Sequence, residues 1–182
     1  MPIDFEPRNA RTHDGAAFTI RAIRPDDFAL EDAFIRSLSE ESRYLRLMYS
    51  LREPPVSFVE RLVNVDGDET MALAGIDDSS GKPRFIAVSR YGRNPDGHTA
   101  DFAIAVTDRW QRRGVATQLM QALADYAKRH GVDRFEGEVL AANERMLDLC
   151  RWLKFDLRRS PEGGHVMVAT RSLQESGLQS CK

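Results

Sequence analysis

Residues 111–116 read Gln-Arg-Arg-Gly-Val-Ala, so two guanidinium groups and two minimal side chains stand directly ahead of a helix-period run. The first turn of a helix presents unpaired backbone N–H groups and a partial positive charge, and both attract phosphate. Gly114 and Ala116 let a phosphate approach the backbone closely. Arg112 and Arg113 add charge beside it. Gln111, Arg112, Arg113, Gly114, Val115, Ala116 and Thr117 are therefore the candidate ligands of a pyrophosphate. The competing reading is an ordinary strand-to-helix turn with solvated arginines, but the order of elements around the stretch favours the cradle. It is a different device from the Walker loop or the three-glycine dinucleotide fingerprint, whose residues are missing.

Other chemistries find less support. His13, His98, His130 and His165 are scattered without metal-ligand spacing, so no metal is expected. A Gly-x-Ser-x-Gly nucleophile elbow is absent. The 26 basic and 28 acidic residues leave a net charge of -2, which gives no basic field for nucleic acid. The N-terminal residues carry acids and an early proline instead of an apolar run, so neither a signal peptide nor a membrane anchor is expected. Two cysteines, Cys150 and Cys181, make no disulfide framework and suit a reducing cytoplasm.

The elements that must position the 111–117 stretch follow from periodicity. With 182 residues, 42% hydrophobic and 30% charged, the chain suits one domain with a real core. Alternation marks a strand at 18–23. Pro25-Asp26-Asp27 then opens a helix with Phe28, Leu30, Phe34, Ile35 and Leu38 on its apolar face. A short helical or turn-rich region runs from 39 to 47, Pro54-Pro55 breaks it, and a further short helix follows at 56–63. Strands are expected at 70–76, 84–91 and 99–106, separated by turn-forming residues. Residues 115–130 make the clearest helix, with Leu119, Met120, Leu123, Tyr126 and Ala127 inward and Gly131 ending it. A strand at 134–140, a helix capped by Asn143, and a hairpin of 155–159 with 165–170 complete the chain. This order predicts an α/β (α+β) domain with a largely antiparallel sheet covered by helices. Residues 1–17 read as an N-terminal extension, 18–171 as the domain and 172–182 as a polar tail.

With both motifs in place, the chain resembles the GCN5-related N-acetyltransferase (GNAT) superfamily. Residues 111–116 match its Q/R-x-x-G-x-G/A motif, the loop that binds the pyrophosphate of acetyl-CoA. NERMLDLCRWLKF at 143–155 is similar to its Asn-x5-Leu-Tyr-x3-Gly-Phe segment. Segments 37–47, 66–75, 100–119 and 139–155 resemble, more narrowly, the acetyltransferase domain of Pat-type bacterial protein lysine acetyltransferases. The resemblance implies the GNAT fold, a mixed, mostly antiparallel twisted sheet of six to seven strands flanked by helices. It also implies acetyl-CoA as co-substrate, without a metal, and a primary amine as acceptor.

That acceptor is a protein lysine on the narrower resemblance and a small amine on the broader one. A domain that binds acyl-CoA as a sensor, without turnover, is the alternative from another class. A homodimer is left open. An ammonium group with an ordinary value near 10.4 must lose a proton before it attacks, so a carboxylate is needed. Asp101 heads the strand leading to the cradle, where the Pat-type domains carry a catalytic Glu. Glu69 and then Glu138 are the further candidates, each with a competing role as a solvent-facing acid. By resemblance the backbone N–H near Val106 stabilises the reacting carbonyl oxygen, Ala105 and Val106 pair with the pantetheine arm, and Asn143 touches the cofactor. Arg43, Tyr44 and Arg46 are candidates for the acceptor cleft. The family's Tyr is Cys150 here and its Gly is Lys154; Cys150 reads as a buried packing residue.

Overall fold

The computed structural model describes residues 3–42, 54–161 and 163–174. Its centre is one eight-stranded sheet. The strands are β1 (Arg8–Arg11), β2 (Ala17–Ala22), β3 (Thr70–Asp77), β4 (Arg84–Arg93), β5 (Thr99–Val106), β6 (Arg134–Leu140), β7 (Asp156–Arg159) and β8 (Val166–Ser172). Their spatial order is β1-β2-β3-β4-β5-β6-β8-β7. Every neighbouring pair is antiparallel except β5–β6, which is parallel.

The sheet is covered by helices that include α1 (Phe28–Ser37), α2 (Val56–Val63), α3 (Val115–Arg129) and α4 (Glu144–Trp152). A single 3-10 turn, Pro25–Asp27, precedes α1. β3 is buried on both faces, because successive side chains alternate between two cores. Met71 and Leu73 join Leu119, Met120 and Leu123 of α3 on one side. Ala72, Ala74 and Ile76 join Phe34 and Ile35 of α1 and Val59 and Val63 of α2 on the other.

The sheet has one strand more than expected. β1, Arg-Asn-Ala-Arg, has no apolar alternation to announce it, since its residues are largely exposed at a sheet edge. Backbone pairing with β2, from Arg8 opposite Ile20 to Arg11 opposite Ala17, defines it instead. The mixed architecture flanked by helices is otherwise the expected one. Leu119, Met120, Leu123, Tyr126 and Ala127 are all buried. Gly131 adopts φ +81° just after α3, and Val132 N–H returns to Ala127 O at 3.0 Å, closing that helix.

Candidate active site

The parallel pairing of β5 with β6 is short. It holds Thr99–Arg134, Ala100–Phe135 and Asp101–Glu136, and then stops. β5 continues against β4 to Val106, and β6 continues against β8 to Leu140. The two strands therefore diverge, and a cleft of about 420 Å³ opens between them. Residues 102–106 form one wall; Glu138 and Val139 line the other, with Asn143, Arg145, Met146 and Leu149 beside them. Phe102 is the first β5 residue beyond the last pair. Its ring lies 5.9 Å from Phe135 and 4.7 Å from Phe155, filling the space beneath the opening. Gly137 makes room for it, because a Cβ there would stand 2.8 Å from the Phe102 ring. Sequence reasoning missed both residues; the glycine inside an expected strand was the available signal.

Strand geometry leaves the β5 backbone facing this gap. Thr107 N–H donates to Ile86 O on the β4 side, at 2.9 Å. Alternate residues bond in opposite directions. The backbone groups of Ile104 and Val106 accordingly point away from β4, into the cleft, while those of Ala103 and Ala105 point back to β4. Gln111 Nε2 donates to the Val106 carbonyl at 3.0 Å, which leaves the Val106 N–H toward the opening. Ala105 lines the cleft as a side chain only.

The 111–117 stretch closes one end of the cleft. Arg112 adopts φ +59° and Gly114 φ +84°, so the chain turns sharply before α3 begins at Val115. Glycine takes the left-handed region freely; an arginine there is strained. By helix geometry the first N–H groups of α3 have no partner within the helix. Gln111, Arg112, Gly114, Ala116 and Thr117 line the cleft. Val115 is buried in the core instead. Arg113 also stays out of the lining: its guanidinium takes both oxygens of Asp14, at 3.0 and 2.7 Å. Gln111 joins several elements, donating to Asp108 Oδ1 at 3.0 Å and accepting from Arg145 at 2.8 Å. Asn143 both lines the cleft and caps α4, its Oδ1 accepting from Met146 N–H at 3.2 Å.

The three candidate carboxylates are placed differently. Glu138 lines the cleft. Asp101 is exposed at the fork itself, in the last pair before divergence, and its Oδ1 accepts from Asn94 Nδ2 at 3.2 Å. Glu69 is exposed just before β3, two strands from β5. Cys150 is buried in α4 outside the lining, and burial pushes its thiol up to about 12. Arg43, Tyr44 and Arg46 lie outside the described residues. Among the described residues, no group of three His, Cys, Asp or Glu side chains could hold a metal ion. No helix among them is long and apolar enough to cross a membrane.

The β5–β6 fork, closed by a glycine-containing loop, lies within residues 29–155, which match the acetyltransferase (GNAT) family. The chain belongs to that family and is an acyltransferase. It is 30% identical over 155 residues to Acetyltransferase PA5475 of Pseudomonas aeruginosa, covering 85% of this chain and 83% of that protein. It is also 30% identical to Acetyltransferase Pat of Mycolicibacterium smegmatis, covering 83% of this chain but only 46% of that relative's length. Among solved structures, the GNAT domain of S. lividans PAT superposes with a TM-score of 0.84 at 29% identity. That likeness covers 91% of this chain and 96% of the other.

Proposed function

We propose that this chain moves an acetyl group from acetyl-CoA to a primary amine, with a protein lysine as acceptor, by direct attack in a ternary complex. One observation carries the reading: the β5–β6 fork exposes the backbone of Ile104 and Val106 along a cleft that ends at the 111–117 loop. These residues fit an elongated ligand with a phosphorylated end. Arg112, Gly114, Ala116 and Thr117 would hold the pyrophosphate, by charge and by unpaired helix amides. Ile104, Val106 and Asn143 would hold the pantetheine arm.

Acetyl-CoA supplies the activated acyl thioester. Asp101 takes the proton from the acceptor ammonium, directly or through one water, so that a neutral amine is delivered at the fork. The Val106 N–H donates to the oxygen on which negative charge develops. The amine nitrogen bonds to the acetyl carbon, the thioester C–S bond breaks, and CoA leaves as a thiolate that takes a proton from water. Cys150 is left as packing, because a buried thiol with a raised value is a poor proton donor. Glu138 offers a second reading for the base, favoured by its place on the cleft wall; Glu69 ranks behind both on position. The lysine acceptor is supported by likeness to the Pat proteins.

The test is release of CoA thiol from acetyl-CoA, measured against lysine-bearing proteins and against a panel of small amines. Acetylation of protein lysines supports the proposal. Labelling confined to small amines moves the acceptor to that class. Tight acetyl-CoA binding with no thiol release against any acceptor would establish a sensor instead.

A further inference from the structure

The turn between β1 and β2, residues 12–16, packs behind the cofactor loop. His13 N–H donates to Arg113 O at 3.0 Å. The Asp14 carboxylate accepts two N–H bonds from Arg113, at 3.0 and 2.7 Å. The His13 ring sits where a side chain on Gly114 would go, its Nε2 only 2.5 Å from an ideal Cβ. Gln118, in the first turn of α3, donates to Arg11 O at 2.9 Å. On its other side the Arg113 guanidinium lies 4.7 Å from the Trp110 ring centroid, and Trp110 meets Phe18 of β2 edge-on. Neither His13 nor Asp14 lines the cleft.

These contacts divide the labour between the paired arginines. Arg112 faces the cleft in a strained, left-handed conformation. Such a residue persists only where its surroundings over-determine it. Its neighbour Arg113 supplies that restraint by tying the loop to a turn 99 residues earlier in sequence.

We propose that Asp14 is a positioning residue for acetyl-CoA: acting through Arg113, it fixes the loop that presents Arg112, Gly114, Ala116 and Thr117 to the pyrophosphate. The proposal rests on the reading that the cleft binds acetyl-CoA. The Arg113–Asp14 pair is partly exposed, with side-chain exposures of 26% and 61%. An exposed pair adds little to global stability. Its loss is expected to register in cofactor binding far more than in melting temperature.

The experiment compares acetyl-CoA with S-acetyl-pantetheine, a donor without the pyrophosphate. Affinities are measured by calorimetry for acetyl-CoA and by NMR titration for the short donor. Asp14→Ala is expected to weaken acetyl-CoA about tenfold, the scale of one lost charge-assisted contact. The short donor and the melting temperature should be nearly unchanged, and Asp14→Glu should restore binding. Unchanged acetyl-CoA affinity overturns the proposal, and so does an equal loss for both donors, which would mark a general structural role. If Asp14→Ala does not fold, the isosteric Asp14→Asn carries the same comparison. A wild-type chain that does not bind acetyl-CoA overturns the assignment of the cleft itself, a result visible before any variant is made.

Discussion

Asp101 and Glu136 face one another across the last rung that β5 and β6 share. Past that rung the strands part, Phe102 begins one wall and Glu138 stands on the other. On the proposed mechanism, the fork brings carboxylates to the point where the acceptor amine sheds its proton. Asp101→Asn is expected to lower kcat about 100-fold or more while sparing acetyl-CoA affinity, within the usual range for a general base. Glu138→Gln should cost far less. Steady-state kinetics at saturating acceptor checks both, and the reverse ranking would move the base to Glu138.

Gly114→Ala meets two obstacles. A residue with a Cβ at φ +84° is strained by about 1–2 kcal/mol, and that Cβ would collide with the His13 ring. A thermal melt should fall by about 4 °C. Acetyl-CoA affinity measured by calorimetry should fall much more, by at least about tenfold, because the loop turn itself must shift. Unchanged affinity would remove the loop from the cofactor site.

Cys150 should be inert. Burial pushes its thiol up to about 12, against the opposing charge of Arg151. A thiol with that value carries almost no thiolate at pH 8, and thiolate is the reactive form. In a Cys181→Ser background, native protein should react with a disulfide reagent only as fast as it unfolds. Cys150→Ala should keep kcat within about threefold across the alkaline limb, since packing and not proton donation is lost. A large drop in kcat with a new pH dependence would make Cys150 the acid.

Asp27 should make the fold acid-sensitive. Burial opposes its ionisation, but bonds from the Arg21 guanidinium at 2.6 and 2.7 Å and from Arg24 N–H at 2.8 Å outweigh it. The folded carboxyl is therefore held below its unfolded value of about 3.9. A depressed carboxylate stabilises the fold fully above that unfolded value, and the contribution is lost as pH falls through the lower, folded one. Asp27→Asn should cost about 1–3 kcal/mol in urea unfolding at pH 7, where Arg21 loses its charged partner. The gap between variant and wild type should shrink when the same titration is run near pH 3.

Most of the frame was legible because its signals are local. The α3 stripe of Leu119, Met120, Leu123, Tyr126 and Ala127 repeats with the helical period, and all five residues are buried. Asn143 announced the start of α4 by its type, and its Oδ1 caps that helix. The 111–116 motif marked the loop, and the loop does close the cleft. Long-range relations were not legible. Arg112 and Arg113 look equivalent on paper, yet only their distant neighbours send one to the cleft and the other to Asp14. β1 could not be seen because an edge strand with exposed side chains is defined by backbone bonds, which leave no composition. The fork was invisible too: the last β5–β6 pair and the Phe102 ring packed over Gly137 just past it join residues 35 positions apart in the chain.

The clamp behind the cofactor loop also bears on how the protein is made. Arg11, His13 and Asp14 leave the ribosome long before Arg113 and Gln118, the residues they grip. Contacts of such separation are slow to close, because the intervening chain must be ordered first. The N-terminal turn therefore gains these partners only after residues 111–118 have been made. On the proposed function, the cleft is complete only once the segment after β5 has met a turn lying 99 residues earlier in the chain.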